Sequence, residues 1–173
     1  FGVEAILAGE IKKLGFEDVE VKDGRVSYAC HFSDIPKANI HLRVAERVLV
    51  KITEFQAKTF DELFDGINAI DWSFYLSKDA SFPVDVTSID SQLFGISACQ
   101  LKSVYHMEVF PETGPRYKVS VSLLKDLVTV YIDTSGTGLH KRGYRTLTGI
   151  APLKETLAAS MIMISRWKKD RVL

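Results

Sequence analysis

The chain has 173 residues, 46% of them hydrophobic and 25% charged, and its formal net charge is zero. This mix excludes a disordered tail or a low-complexity tract and fits one ordinary domain or two small ones. No apolar run approaches the roughly 20 residues that cross a bilayer. Two distant cysteines, Cys30 and Cys99, form neither CxxC spacing nor a disulfide framework, so a reduced, cytoplasmic setting is expected.

The charge is unevenly spread. Residues 138–173 hold eight Lys and Arg against Glu155 and Asp170, a net of +6, which leaves −6 on the first 137 residues. Such asymmetry fits either a polyanion partner at the basic end or a solvated linker and tail.

In chain order, Val3, Ile6, Leu7, Ile11 and Leu14 recur at helical spacing, and Gly15 is placed to close that helix. Val19 and Val21 alternate with charged neighbours, and Asp23-Gly24 predicts a hairpin turn. Val26, Tyr28 and Cys30 line one face of the next strand. Ser33 or Asp34 is expected to cap a second helix with Pro36 in its first turn. Residues 46–56 read as a strand through Val48, Val50 and Ile52. The order α-β-β-α-β lacks one leading strand of the ferredoxin-like repeat, and that strand is expected just before Phe1, where no initiator Met stands.

Thr59 and Glu62 predict a capping box ahead of an apolar stripe of Phe60, Leu63, Phe64, Ile67 and Ile70. Trp72, Phe74 and Tyr75 follow in a short turn or helix and are assigned, with Phe60 and Phe64, to the core. Residues 80–89 read as a strand that Pro83 pushes to an edge or a bulge. Residues 117–123 and 127–132 alternate around Lys125-Asp126 as a hairpin. Asp133–Arg145 is a glycine-rich basic connector. Pro152 starts a helix through Leu153, Leu157, Met161 and Ile164, and residues 169–173 begin another strand.

The candidate chemistry lies mostly in the connector. Residues 136–143 lack both GxGxxG and GxxxxGK[ST], so a phosphate loop is disfavoured. His140, Lys141, Arg142, Tyr144 and Arg145 are better suited to a nucleic acid, because cations neutralise phosphates and a tyrosine stacks on an unpaired base. A plain basic linker is the alternative. Arg43, Arg47, Lys51 and Lys58 form a second basic set, diluted by Glu46 and Glu54. Asp61 and Asp65 read as surface acids, and His31, His41 and His106 have no metal-ligand spacing.

The segments Thr59–Phe64, Ser91–Phe94, Pro111–Gly114, Ser122–Asp126, Ile132–Gly136, Gly138–Arg145 and Ala151–Ala158 occur in one order. As a set they resemble the THUMP-domain RNA methyltransferases of the bacterial 23S rRNA guanine-N2 type, whose relatives are often labelled N6-adenine-specific DNA methylases. The resemblance covers essentially the whole chain. It implies an α+β chain: a ferredoxin-like domain over 1–56, an RNA-binding THUMP domain over 57–137, and a basic connector with a first helix over 138–173. A Rossmann-like domain using S-adenosylmethionine would follow. The family's glycine-rich cofactor loop and its Asn/Asp-Pro-Pro-Tyr motif are absent, so no catalytic residue is assigned and the cofactor site falls outside the chain. No metal and no membrane are implied. The expected RNA contacts are Lys51, Lys58, Lys141, Arg142, Tyr144 and Arg145, with ribosomal RNA as the expected partner. The rivals are a segment of a DNA adenine-N6 methyltransferase and a non-catalytic nucleic-acid-binding module. One departure stands out: after Cys99-Gln100 the family continues as a longer amphipathic helix. That casts doubt on the surface near Ser91–Lys102 as an RNA contact.

Overall fold

The computed structural model describes residues 2–77, 79–93, 114–146, 149, 151–168 and 170. The chain divides into two compact units, one of Phe1–Val48 with Thr137–Leu173 and one of Leu49–Gly136. The second unit is thus an insertion in the first.

In the first unit, helix α1 (Glu4–Lys13) precedes a hairpin of β1 (Glu17–Lys22) and β2 (Arg25–Ala29) and a short helix α2 (Ile35–His41). Gly15, at φ +86°, turns the chain out of α1, as glycine does at little steric cost. The hairpin is irregular between Glu17 and Glu20, where Asp18 takes φ +51°. Val19 packs on the core while Val21 is exposed. Neither Ser33 nor Asp34 caps α2. The expected cap is replaced by a 3-10 turn over Phe32–Asp34, in which Asp34 accepts from the His31 N–H at 3.3 Å. Pro36 stands in the first turn of α2, as expected.

The core of this unit gathers Ile11, Phe16, Ala38, Leu42, Ala45, Val48 and Leu139. Phe16 and Tyr28 stack with ring centroids 4.8 Å apart. Lys37 covers Phe16 at 5.2 Å while its ammonium donates to the Leu14 carbonyl at 2.7 Å. Burial, then the neighbouring Cys30 and Asp34, push the Tyr28 phenol up to about 12. Burial, then Asp34, also push the Cys30 thiol up. The folded unit therefore favours the neutral phenol. Its contribution is complete below the ordinary phenol pKa of about 10 and is lost as pH rises towards 12. Urea unfolding at pH 9 and pH 11.5 should show this loss in the wild type and a shallower one in Tyr28→Phe. Equal slopes in both proteins would contradict it.

The second unit is a four-stranded sheet ordered β3-β6-β5-β4. Its strands are β3 (Leu49–Gln56), β4 (Val84–Ile89), β5 (Lys118–Leu124) and β6 (Leu127–Asp133), with helix α3 (Phe60–Asn68) between β3 and β4. Only β4 and β5 run parallel; β6 is antiparallel to both its neighbours. Here the sequence expectation is corrected. The strand predicted to close the first domain begins at Leu49, not residue 46, and pairs with β6 from Leu49↔Asp133 to Gln56↔Leu127. The first unit keeps the order α-β-β-α. The strands predicted within 80–89, 117–123 and 127–132 stand in this sheet as β4, β5 and β6, and Thr59 and Glu62 form the predicted capping box.

Val119, Val121 and Leu123 of β5 face inward opposite Ile132, Val130 and Val128 of β6, joined by Leu63 and Ile67 of α3. Gly66 lets α3 approach closely: a Cβ there would lie 2.2 Å from the Phe55 ring. Trp72 and Tyr75 pack on this core as expected, and the Trp72 indole donates to the Ile67 carbonyl at 3.2 Å. Phe60 and Phe74 do not; both are largely exposed. Phe60 shares the face of Leu63 and Ile67 by spacing, but it is the first residue of α3 and stays 52% exposed.

Lys125 and Asp126 both take positive φ, 53° and 63°, in the β5–β6 turn, the conformation that matches the twist of a tight hairpin. The turn is braced by the chain after β4. The Ser91 hydroxyl accepts from the Asp126 N–H at 3.0 Å, and the Asp126 carboxylate accepts from the Gln92 N–H at 2.7 Å. The motif at Ser91 therefore has a structural job. The departure from the family after Cys99-Gln100, Cys99 itself and His106 lie outside the described residues, as do residue 169 and residues 171–173 of the expected last strand.

Candidate nucleic-acid interface

The expected contacts fall in both units. In the second unit, Lys51 lies on β3 and its ammonium pairs with Glu54 at 3.1 Å, with both side chains partly open to water. Glu54 also accepts from the Thr129 hydroxyl at 3.3 Å. Lys51 is thus a half-neutralised cation. Lys58 precedes the capping box, and its backbone N–H donates to Glu62 at 2.6 Å. Its side chain is exposed and makes no ion pair among the described residues.

In the first unit, residues 137–145 do not form a free linker. Leu139 is buried in the core, its N–H donating to the Glu46 carbonyl at 2.9 Å. Glu46 gathers three further groups with its carboxylate: His140 Nδ1 at 2.7 Å, Lys154 Nζ at 3.4 Å and Thr156 Oγ1 at 3.4 Å. The His140 contact is a close approach rather than an aligned hydrogen bond, because Nδ1 lacks a partner at hydrogen-bonding angles. Gly138 permits it; a Cβ there would lie 2.8 Å from the His140 ring.

Arg142 is tied down. Its Nε donates to the Leu139 carbonyl at 3.0 Å and one Nη to the Ile40 carbonyl at 2.9 Å, and the other Nη reaches the Leu42 carbonyl. A planar guanidinium suits three such acceptors at once. Three donors aimed at carbonyls make Arg142 a fastening of the connector, a role its place in a basic run does not show.

Its neighbours are more open. Lys141 is exposed without an ion pair among the described residues, and Tyr144 is 79% exposed just after Gly143, which takes φ +81°. Arg145 is half-buried and spends one Nη on the Leu153 carbonyl at 2.7 Å. The connector therefore presents a cation and an aromatic ring to solvent on a fastened backbone. Such a pair can neutralise a phosphate and stack on a base.

Glu10 is the polar group that sequence reasoning missed. It is 4% exposed, and its carboxylate accepts from the Arg43 Nε at 2.8 Å and from the N–H groups of Arg43 and Val44 at 3.2 and 3.1 Å. The signal was available: Glu10 lies four residues from both Ile6 and Leu14, on the apolar face of α1. Among the described residues no group of three or more His, Cys, Asp or Glu could hold a metal ion. No helix there is long and apolar enough to cross a membrane.

Three domain families match the chain in succession: the RlmL ferredoxin-like domain over residues 1–49, the THUMP domain over 57–133, and the RMKL-like methyltransferase domain over 142–173. The chain is 42% identical over 182 residues to the Bacillus subtilis (strain 168) protein named "Putative RNA methyltransferase YpsC", covering 98% of this chain and 47% of that protein. It is 33% identical over 181 residues to "Ribosomal RNA large subunit methyltransferase K/L" of Pseudomonas putida (strain GB-1), covering 97% of this chain and 24% of that one. A solved structure of SMU.472, described as "a putative methyltransferase complexed with SAH", superposes with a TM-score of 0.86 at 39% identity, over 98% of this chain and 48% of that one. The chain thus spans about half the length of the first of these relatives or less. The chain is similar over nearly its whole length to proteins named as RNA methyltransferases, and it matches, in order, a ferredoxin-like domain, a THUMP domain and part of a methyltransferase domain.

Proposed function

We propose that this chain is the RNA-holding segment of an S-adenosylmethionine-dependent methyltransferase that modifies ribosomal RNA at guanine N2. The observation that carries the reading is the THUMP match over 57–133, followed at once by the opening of a methyltransferase domain. The relative named as a ribosomal RNA methyltransferase supports the substrate class, and the one complexed with SAH, the demethylated product of S-adenosylmethionine, supports the cofactor. The domain limits proposed are 1–48 with 137–145 for the ferredoxin-like unit, 49–136 for the THUMP unit, and 146–173 for the opening of the catalytic domain. A cytoplasmic setting accords with an rRNA substrate.

Lys58, Lys141 and Tyr144 are the leading RNA contacts, with Lys51 and Arg145 as weaker ones because each already spends a donor within the protein. Arg142 supports them by fixing the backbone. RNA would be held through phosphates and unpaired bases, as is usual for RNA recognition, while the catalytic domain receives an extruded guanine.

The test is binding of the full-length protein to an rRNA fragment across a salt series. Lys141→Ala with Lys58→Ala should weaken binding by about tenfold at moderate salt and lower the slope of log K against log salt by about two phosphates' worth. Tyr144→Ala should weaken binding by a similar factor without changing the slope, because stacking releases no counterions. Unchanged affinity and slope in both variants would remove these residues. Methylation of duplex DNA in preference to rRNA would overturn the substrate reading.

A further inference from the structure

The segment that follows α2 is buried at every position but one. Leu42, Val44 and Ala45 are 2%, 6% and 4% exposed, whereas the Arg43 side chain is 64% exposed. Arg43 is held all the same. Its Nε donates at 2.8 Å to Oε1 of the buried Glu10, while Oε2 of that carboxylate accepts from the N–H groups of Arg43 and Val44. Both Nη groups of Arg43 are left without a partner among the described residues. A guanidinium that served only the carboxylate would turn two parallel N–H groups to it; here Oε1 receives one. An ion pair with one side chain this open contributes little to stability. What the contact does is fix the guanidinium at Nε and leave the fork of Nη groups in solvent.

We infer that Arg43 is a preset phosphate clamp, which adds to the RNA grip a contact from the segment between α2 and β3. The inference rests on the function proposed above. The fork geometry suits two phosphate oxygens at once, and a side chain held in place beforehand loses less freedom when the ligand arrives. The carboxylate behind it is buried and shared among three donors, so an incoming phosphate meets the cationic edge first. The fold also puts this clamp beside the connector. The Ile40 and Leu42 carbonyls take the two Nη groups of Arg142, so the stretch that carries Arg43 is the one to which the connector is tied. Lys141, the residue before Arg142, is exposed and has no ion pair among the described residues. Two open cations from distant parts of the sequence thus flank a third whose donors are spent.

Arg43→Gln in the full-length protein tests this. The Gln amide nitrogen replaces Nε at the same place along the side chain, so it can still donate to Glu10 while the fork and the charge are gone. Binding of the rRNA fragment should weaken about fivefold at moderate salt, and the slope of log K against log salt should fall by about one phosphate's worth. The Tm should stay within about 2 °C of wild type, as for most exposed substitutions. Arg43→Lys should keep the slope and recover only part of the affinity, since an ammonium is a point charge and not a fork. An unchanged slope in Arg43→Gln overturns the inference, even where affinity falls, because the contact is then to a base or the effect runs through the fold. A Tm drop beyond about 5 °C with faster hydrogen exchange over residues 42–45 overturns it too, by making Arg43 a structural residue. If Lys141→Ala with Lys58→Ala lowers the slope and Arg43→Gln does not, the RNA reading stands and this inference alone falls. If the wild type shows no salt-dependent binding of rRNA, both fall.

Discussion

Replacing Glu10 by Ala should destabilise the first unit by about 2–4 kcal/mol, because it strips buried backbone donors of their acceptor. Val44 is itself buried, and its N–H has no water to turn to once the carboxylate is gone. The Arg43 side chain is largely exposed, so the ion pair as such adds little. Most of the loss comes from the unpaired N–H groups and the space left beside α1. Glu10→Gln keeps the shape and one acceptor oxygen and should lose roughly half as much. Urea unfolding followed by hydrogen exchange of the peptides covering α1 and residues 42–45 would show the loss confined to the first unit. An Ala variant within about 0.5 kcal/mol of wild type would show that Glu10 is dispensable, as surface substitutions usually are.

What the sequence revealed and what it hid follow from the range of the forces involved. The β5–β6 hairpin and the Thr59–Glu62 box were legible because their partners lie within a few residues and their patterns are local. The strand character of 49–56 was legible too, through its β-branched residues, but not its sheet. Its partner is β6, some eighty residues away, and propensity carries no information about that distance. The reading therefore attached it to the nearer elements. The apolar positions of the last helix, α4 (Glu155–Ile164), were found at the right spacing, yet spacing alone does not say which side of a helix its own unit covers. Thr156 and Ser160, not the leucines, turned inward.

The same limit applies to the candidate site. Lys141 and Tyr144 stand exposed where a basic run interrupted by an aromatic residue suggested. Arg142 looked identical to Lys141 in composition, because nothing near it in sequence announces the carbonyls of Ile40 and Leu42, about a hundred residues earlier, that take up its donors. A cation in a glycine-rich stretch is read as a phosphate ligand by default. Only the fold shows whether its donors are already spent.

Arg142 consequently gives the sharpest contrast within the basic run. Arg142→Ala should cost about 2–4 kcal/mol, since charged donors to carbonyls contribute about 1.5–3 kcal/mol each and are not additive when they share one side chain. Arg142→Lys should recover little of it: an ammonium on a flexible stem cannot serve three carbonyls held by one planar group. The loss should appear as faster hydrogen exchange over residues 138–145 and as quicker trypsin cleavage after Lys141 and Arg145, with the THUMP sheet unaffected. RNA affinity should fall through disorder of Tyr144 and its neighbours, while the salt slope stays at its wild-type value. If Arg142 instead touches phosphate, the outcome reverses. Protection of 138–145 would then be unchanged and the salt slope would drop by about one counterion's worth. The two measurements, made on the same variant, decide whether the residue grips RNA or fastens the connector that displays the groups that do.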